Sequence, residues 1–125
     1  MTSYTCNLAG ESHRQDVIRR CHEGERVILK REPDNEYDGN AVAVFRLNGD
    51  HIAYLSRENA EWVARVMDEG RQLDAKIKWI TGGTRDKPSR GVLIDITIDT
   101  RRQIDQDQTA EVSRPNLLQR LLRWR

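Results

Sequence analysis

No apolar run in this chain approaches the roughly 20 residues that a membrane-spanning helix needs. Cysteine is scarce. Cys6 and Cys21 are the only two, too few for a disulfide scaffold. The first residues, MTSYTCNLAG, lack a basic segment followed by an apolar one, so no secretory leader is expected. The expected setting is a cytoplasm with reduced thiols. An excess of one charge is missing too: 21 Lys and Arg face 20 Asp and Glu, for a net +1. Bulk charge therefore does not announce a nucleic-acid binder, and any such contact must rest on local arrangement. Repeats and low-complexity tracts are absent, as are a Gly-rich phosphate loop, a Ser-His-Asp set and a glycosidase carboxylate pair. No catalytic residue, metal, cofactor or small-molecule substrate is expected.

What remains suits one domain. A chain of 125 residues can bury a core without metal or disulfide support. Tyr4 to Ala9 reads as a strand ended by Gly10. HRQDVIRRC sets Val17, Ile18 and Cys21 at helical spacing, with Gly24 as the stop. ERVILKRE is rich in β-formers and runs into Pro33, which pushes Glu32 to extended geometry. NAVAVFRL and HIAYL flank Asn48-Gly49, a strong hairpin signal. Ser56 caps a helix with Ala60, Val63, Ala64 and Met67 on one face and Gly70 after it. QLDAKIKWI and GVLIDITIDT alternate apolar with polar residues and form two more strands.

The expected fold is mostly β with two helices (α+β), a small, mostly antiparallel β-barrel in the order strand, helix, three strands, helix, two strands. The expected boundaries are a barrel over residues 1–100, a polar linker over 101–113 and a basic amphipathic tail over 114–125.

KREPDNEYDGNAVAV crowds acids and asparagines around one tyrosine. Asp34, Glu36, Asp38 and Gly39 imitate the start of an EF-hand loop. The twelfth position, which should be a bidentate glutamate, is Phe45, so calcium is not expected. A plainer reading is two turns, at Pro33-Asp34-Asn35 and at Asp38-Gly39. They would hold Tyr37 rigidly at the surface, as binding residues often are.

REPDNEYDGNAVAV, then IAYLSRENA, then DAKIKWITGG together resemble the HIRAN domain family, over roughly residues 4 to 98. The resemblance implies a compact barrel akin to oligonucleotide-binding (OB-like) and SH3-like barrels. It also implies capture of the 3′-hydroxyl end of single-stranded DNA, in DNA repair or processing. Tyr37 and Asp38 match a stacking tyrosine and a carboxylate at the DNA end. Tyr54 stands where some members have histidine. Arg57 matches a phosphate contact and Trp79 an aromatic closing the base pocket. At the exit of the first strand, helicase-fused members carry arginine and tyrosine. Here the stretch is GESHR, and His13 or Arg14 takes that place without an equivalent aromatic platform.

The residues leave other readings open. Tyr54 and Trp79 also suit barrel core or rim, and Arg57 a solvated helix face. Cys6, His13, Cys21 and His22 are zinc-capable, but no Cys-x-x-Cys pair is present. Cys21 and His22, adjacent on a helix, point apart and make a poor nucleophile-base pair. Asp95, Thr97 and Asp99 share one strand face, as a metal-dependent nuclease or, far more simply, a solvated strand would have it. The tail carries Leu117, Leu118, Leu121, Leu122 and Trp124 among Arg114, Arg120, Arg123 and Arg125, with no acid. That pattern suits docking on the barrel or on a protein partner, so a protein-interaction adaptor is the rival reading.

Overall fold

The computed structural model describes residues 2–98. The polar linker, the tail and the protein partner expected through residues 114–125 lie outside the described residues. β1 (Thr2–Ala9) leads through a 3₁₀ turn at Glu11–His13 to α1 (Gln15–Ile18). There follow β2 (Arg26–Arg31), β3 (Val42–Arg46), β4 (His51–Leu55), α2 (Arg57–Asp68), β5 (Leu73–Gly82) and β6 (Arg90–Ile98). The strands close into one barrel, β1-β4-β3-β2-β5-β6, with every pair antiparallel. The expected α+β barrel and its element order are what forms.

Period-two alternation dictates the wall. On β6, Val92, Ile94, Ile96 and Ile98 are buried, while Leu93, Asp95 and Thr97 lie between them on the other face. Ile94 and Ile96 meet Ile77, Val44 and Ile52 in the core. Each isoleucine so buried contributes about 1.5–3 kcal/mol. Gly49 takes a φ of 98°, and Arg46 and Asp50 bond across the hairpin turn at 2.8 Å. Ser56 caps α2 as expected, its Oγ accepting from Asn59 N. Asn59 Oδ1 in turn accepts from Asn7 N at 2.9 Å. The start of α2 is thereby tied to β1, while Ala60, Val63 and Ala64 bury its inner face.

The first helix departs from expectation. Helical geometry over residues 13–21 is limited to the four residues of α1. Arg14, at φ −132° and ψ 31°, separates it from the 3₁₀ turn. The cause is tertiary. Glu11 Oε2 accepts from Val92 N at 3.0 Å. Gln15 donates to Arg90 O and accepts from Arg90 N. These side chains continue the hydrogen bonding of β6 on the edge that β1 leaves after Asn7 and Leu93, which a regular helix would not allow. Ile18 and Cys21 still reach the core.

Candidate nucleic-acid interface

The segment 33–41 joins β2 to β3 and is built from its own polar groups. Asn35 N donates to Glu32 O at 3.0 Å, forming the first turn. Asn35 Oδ1 then accepts from both Tyr37 N and Asp38 N, at 2.8 and 3.1 Å. The second turn is closed by Ala41 N donating to Asp38 O, and Asp38 Oδ1 accepts from Asn40 N at 2.9 Å. From below, Arg31 Nη1 donates to Gly39 O at 2.9 Å, while its Nε and Nη2 clamp the Asp68 carboxylate at the end of α2. With its backbone held this way, Tyr37 presents a ring that is 80% exposed.

Arg57, the first residue of α2, meets this loop. Its Nη2 donates to Tyr37 O at 3.3 Å, and its Nε stands 3.7 Å from Asp38 Oδ2. The guanidinium keeps most of its surface in solvent, whereas the Asp38 carboxylate is largely covered. Behind them the Tyr54 hydroxyl donates to Glu32 Oε1 at 3.0 Å, and Asn35 Nδ2 donates to the same oxygen at 3.1 Å. Tyr37, Asp38, Tyr54 and Arg57 therefore share one hydrogen-bonded network, with Glu32 and Asn35 as its joints. Burial, then the bond to Glu32, raises the Tyr54 phenol above its ordinary range, while the Arg14 charge opposes the rise. The Tyr54 ring sits edge-on to His51, which stacks on Phe45 at 4.7 Å. Burial, helped by the Arg14 charge, holds the His51 imidazole below its ordinary range. Arg14 thus flanks the Tyr54 side of the network. His13 is exposed on the 3₁₀ turn.

Trp79 stands apart. It lies on β5, three inter-strand steps round the wall from Tyr54 on β4, each step about 4.8 Å. The pairing of β5 with β6 skips Lys78 between Ile77 and Trp79. This bulge turns both residues outward. Lys78 Nζ sits 4.6 Å over the indole, which is 53% exposed. Trp79 is therefore rim, not core.

Glu32, Asn35 and Arg31 were not singled out from the sequence. Asn35 carried a local signal, because an asparagine two residues before a surface tyrosine is placed to bond the backbone ahead of it. Arg31 and Glu32 open the REPDNEYDGNAVAV motif, but the motif does not disclose their partners on α2 and β4.

The other constellations come to little. Both cysteines are buried, and burial, reinforced by Asp95, pushes the Cys6 thiol up to about 11. Cys21 is shifted the same way, with burial as the main cause. A thiol held protonated is a poor metal ligand and nucleophile. Asp95 is engaged by Thr5 Oγ1 at 3.0 Å and faces Lys78 at 3.9 Å, and Asp99 lies outside the described residues. Among the described residues, no three His, Cys, Asp or Glu side chains gather as a metal site, and no helix is long and apolar enough to cross a membrane.

The candidate site is thus an exposed aromatic face, a covered carboxylate, and a guanidinium at a helix N-terminus, where backbone donors and the dipole favour anions. Comparison with known proteins gives three findings. The family model for the HIRAN domain matches residues 1–94. Helicase-like transcription factor from Oryctolagus cuniculus is 48% identical over 44 residues, which are 35% of this chain and 4% of that protein. Among solved structures, the crystal structure of the HIRAN domain of human HLTF superposes with a TM-score of 0.61 at 24% identity, covering 87% of each chain. The NMR structure of the HLTF HIRAN domain in its DNA-bound conformation gives 0.56 at 23% identity, covering 87% of this chain and 86% of that one.

Proposed function

We propose that this chain, which belongs to the HIRAN domain family, is a non-catalytic DNA-binding module that takes single-stranded DNA near a 3′-hydroxyl end, in repair or processing. The observation that carries the reading is Tyr37, exposed on a loop held by its own hydrogen bonds, beside a carboxylate already braced by Arg57. The fold is shared with an HLTF domain described in a DNA-bound conformation.

The chemistry follows from these groups. A terminal 3′-hydroxyl can donate a hydrogen bond, and an esterified 3′ oxygen cannot. Asp38 accepts from the hydroxyl and repels a phosphate at the same point. Tyr37 stacks on the terminal base, for about 1–3 kcal/mol whatever its identity. Arg57 and the α2 N-terminus meet a phosphate further along, and Tyr54 holds the loop while offering its ring edge. Trp79 takes a more distant base, and His13 and Arg14 the strand's other flank. The acids around Tyr37 are compatible with DNA because they address the one position without phosphate.

Fluorescence anisotropy with three labelled DNAs tests this: a single strand ending in 3′-OH, the same strand ending in 3′-phosphate, and a blunt duplex. The 3′-OH strand should bind at least about tenfold more tightly than the phosphorylated one, a gap of about 1.4 kcal/mol. It should also bind more tightly than the duplex, whose paired bases must unstack before they reach an aromatic face. Equal affinities for all three would overturn the reading.

A further inference from the structure

Opposite the β1–β4 seam, the barrel wall is closed by an equally short pairing. β2 and β5 pair only through Arg26 with Lys76 and Val27 with Ala75. Beyond Val27, β2 continues in register with β3 alone. The strands part around a groove of about 720 Å³ lined by Ile28, Leu29, Leu47, Met67 and Leu73. Ile28 is 46% exposed and Leu47 64% exposed. Arg71 also lines the groove. Its Nε is buried and has no acceptor among the described residues. A buried donor without a partner costs about 1–3 kcal/mol, so the groove lacks both an apolar filling and an acceptor.

We propose that the basic tail of this same chain, residues 114–125, seats its leucines in this groove. Three observations single out that occupant. First, the chain leaves the barrel beside the groove, because Ile98, the last described residue, is the register partner of Leu73 in the groove wall. Only residues 101–113 separate the barrel from the tail in sequence, so tail and groove meet as parts of one chain, at an intramolecular effective concentration. Second, the composition fits: Leu117, Leu118, Leu121 and Leu122 supply apolar filling, and main-chain carbonyls supply the acceptor for Arg71. Third, the tail carries four arginines and no acid, and the groove rim includes the C-terminus of α2 at Met67 and Gly70, where the negative dipole end favours cations. The Asp68, Glu69 and Asp74 carboxylates there are already paired with Arg31, Arg71 and Arg26, so the attraction comes from the helix end. The occupied groove closes the seam without touching Tyr37, so the tail acts as a plug in the wall and leaves the DNA-facing loop free.

The test uses the full chain in a background with Cys6→Ala and Cys21→Ala, carrying a nitroxide on Leu118→Cys and methyl-labelled for NMR. The methyl signals of Ile28, Leu29, Leu47 and Leu73 should lose most of their intensity, while Ala9 and Leu55 on the β1–β4 side keep theirs. The broadening should not change with protein concentration. It should vanish when Ile28 and Leu47, both on the surface, are changed to Glu, or when Leu117 and Leu121 are changed to Asp outside the barrel. Uniform or absent broadening overturns the proposal. Broadening that disappears on dilution overturns it in favour of a second copy as the occupant. The readout is independent of DNA, so it stands or falls separately from the function proposed above.

Discussion

Asp38 and Arg57 face each other across the gap between the β2–β3 loop and α2, with Nε 3.7 Å from Oδ2. The carboxylate spends its other oxygen on Asn40 N, while the guanidinium stays largely in solvent. One partner is fixed in the loop and the other is free to turn toward an anion.

Arg57→Ala should weaken binding of all single strands similarly and lower the slope of log affinity against log salt by about one, as loss of one phosphate contact requires. An exposed pair of this kind adds little stability, so the thermal midpoint should shift by less than about 0.5 kcal/mol in equivalent terms. An unchanged salt slope would remove Arg57 from the phosphate path.

Asp38→Asn keeps an oxygen for Asn40 N and loses the charge. It should narrow the preference for 3′-OH over 3′-phosphate, mainly by tolerating phosphate. Asp38→Ala removes the acceptor as well and should weaken 3′-OH binding by about 1.5–3 kcal/mol, the range for hydrogen bonds to charged groups. Affinities for both ends, measured beside melting temperatures, decide the matter. Folded variants with an unaltered ratio would leave Asp38 with a purely turn-bracing role.

Tyr54→Phe deletes one donor to Glu32 and should cost about 1 kcal/mol. Asn35→Ala should cost more, because it leaves Tyr37 N and Asp38 N without their shared acceptor and removes one of the two donors to Glu32. Both should raise hydrogen exchange at residues 35–40, and the second should also weaken DNA binding. Unchanged exchange in Asn35→Ala would show that the loop is held by other means.

His51 sits below its ordinary value of 6.5 in the folded state because burial disfavours the imidazolium. The unfolded chain therefore binds the proton more readily. The corresponding stability is present above the ordinary value and is lost as pH falls through the lowered folded one. The drop in melting temperature between neutral and mildly acidic buffer should be smaller in His51→Gln than in the parent. Equal drops would assign the acid sensitivity to carboxylates.

The described core closes within residues 2–98 through the pairing of β1 with β6. We therefore expect a chain ending at residue 100 to keep its far-UV spectrum and cooperative melting. A loss of cooperative unfolding would place the terminal leucines in the core.

Local chemistry explains which parts were legible in the sequence. β6 and the Ser56 cap follow from alternation and from a hydroxyl before a helix, each decided within a few residues. The two turns around Tyr37 follow from Pro, Asn, Asp and Gly placement. The first helix was overestimated because Glu11 and Gln15 serve β6, some 75 residues or more away. Periodicity cannot report such a partner. The same holds within the interface: Tyr37 and Asp38 were visible in a motif, whereas the link from Tyr54 through Glu32 to Asn35 joins residues up to 22 apart. At the bulge the alternation of QLDAKIK breaks only with the apolar pair Trp79-Ile80, a signal too short to separate a bulge from the end of a strand.

Thr2 and Ile98 are register partners, and this has a consequence for how the molecule assembles in time. The β1–β6 ladder joins the two extremes of the described chain, so it carries the largest loop-closure cost of any pairing in the barrel. It should form late, after the local β3–β4 and β5–β6 hairpins. Joining the ends by a short linker and opening the chain at Asn48-Gly49 would turn the slowest ladder into a hairpin and a fast hairpin into a distant pairing. Such a circular permutant keeps every wall contact, yet its folding nucleus should move from the middle of the sequence to the joined ends.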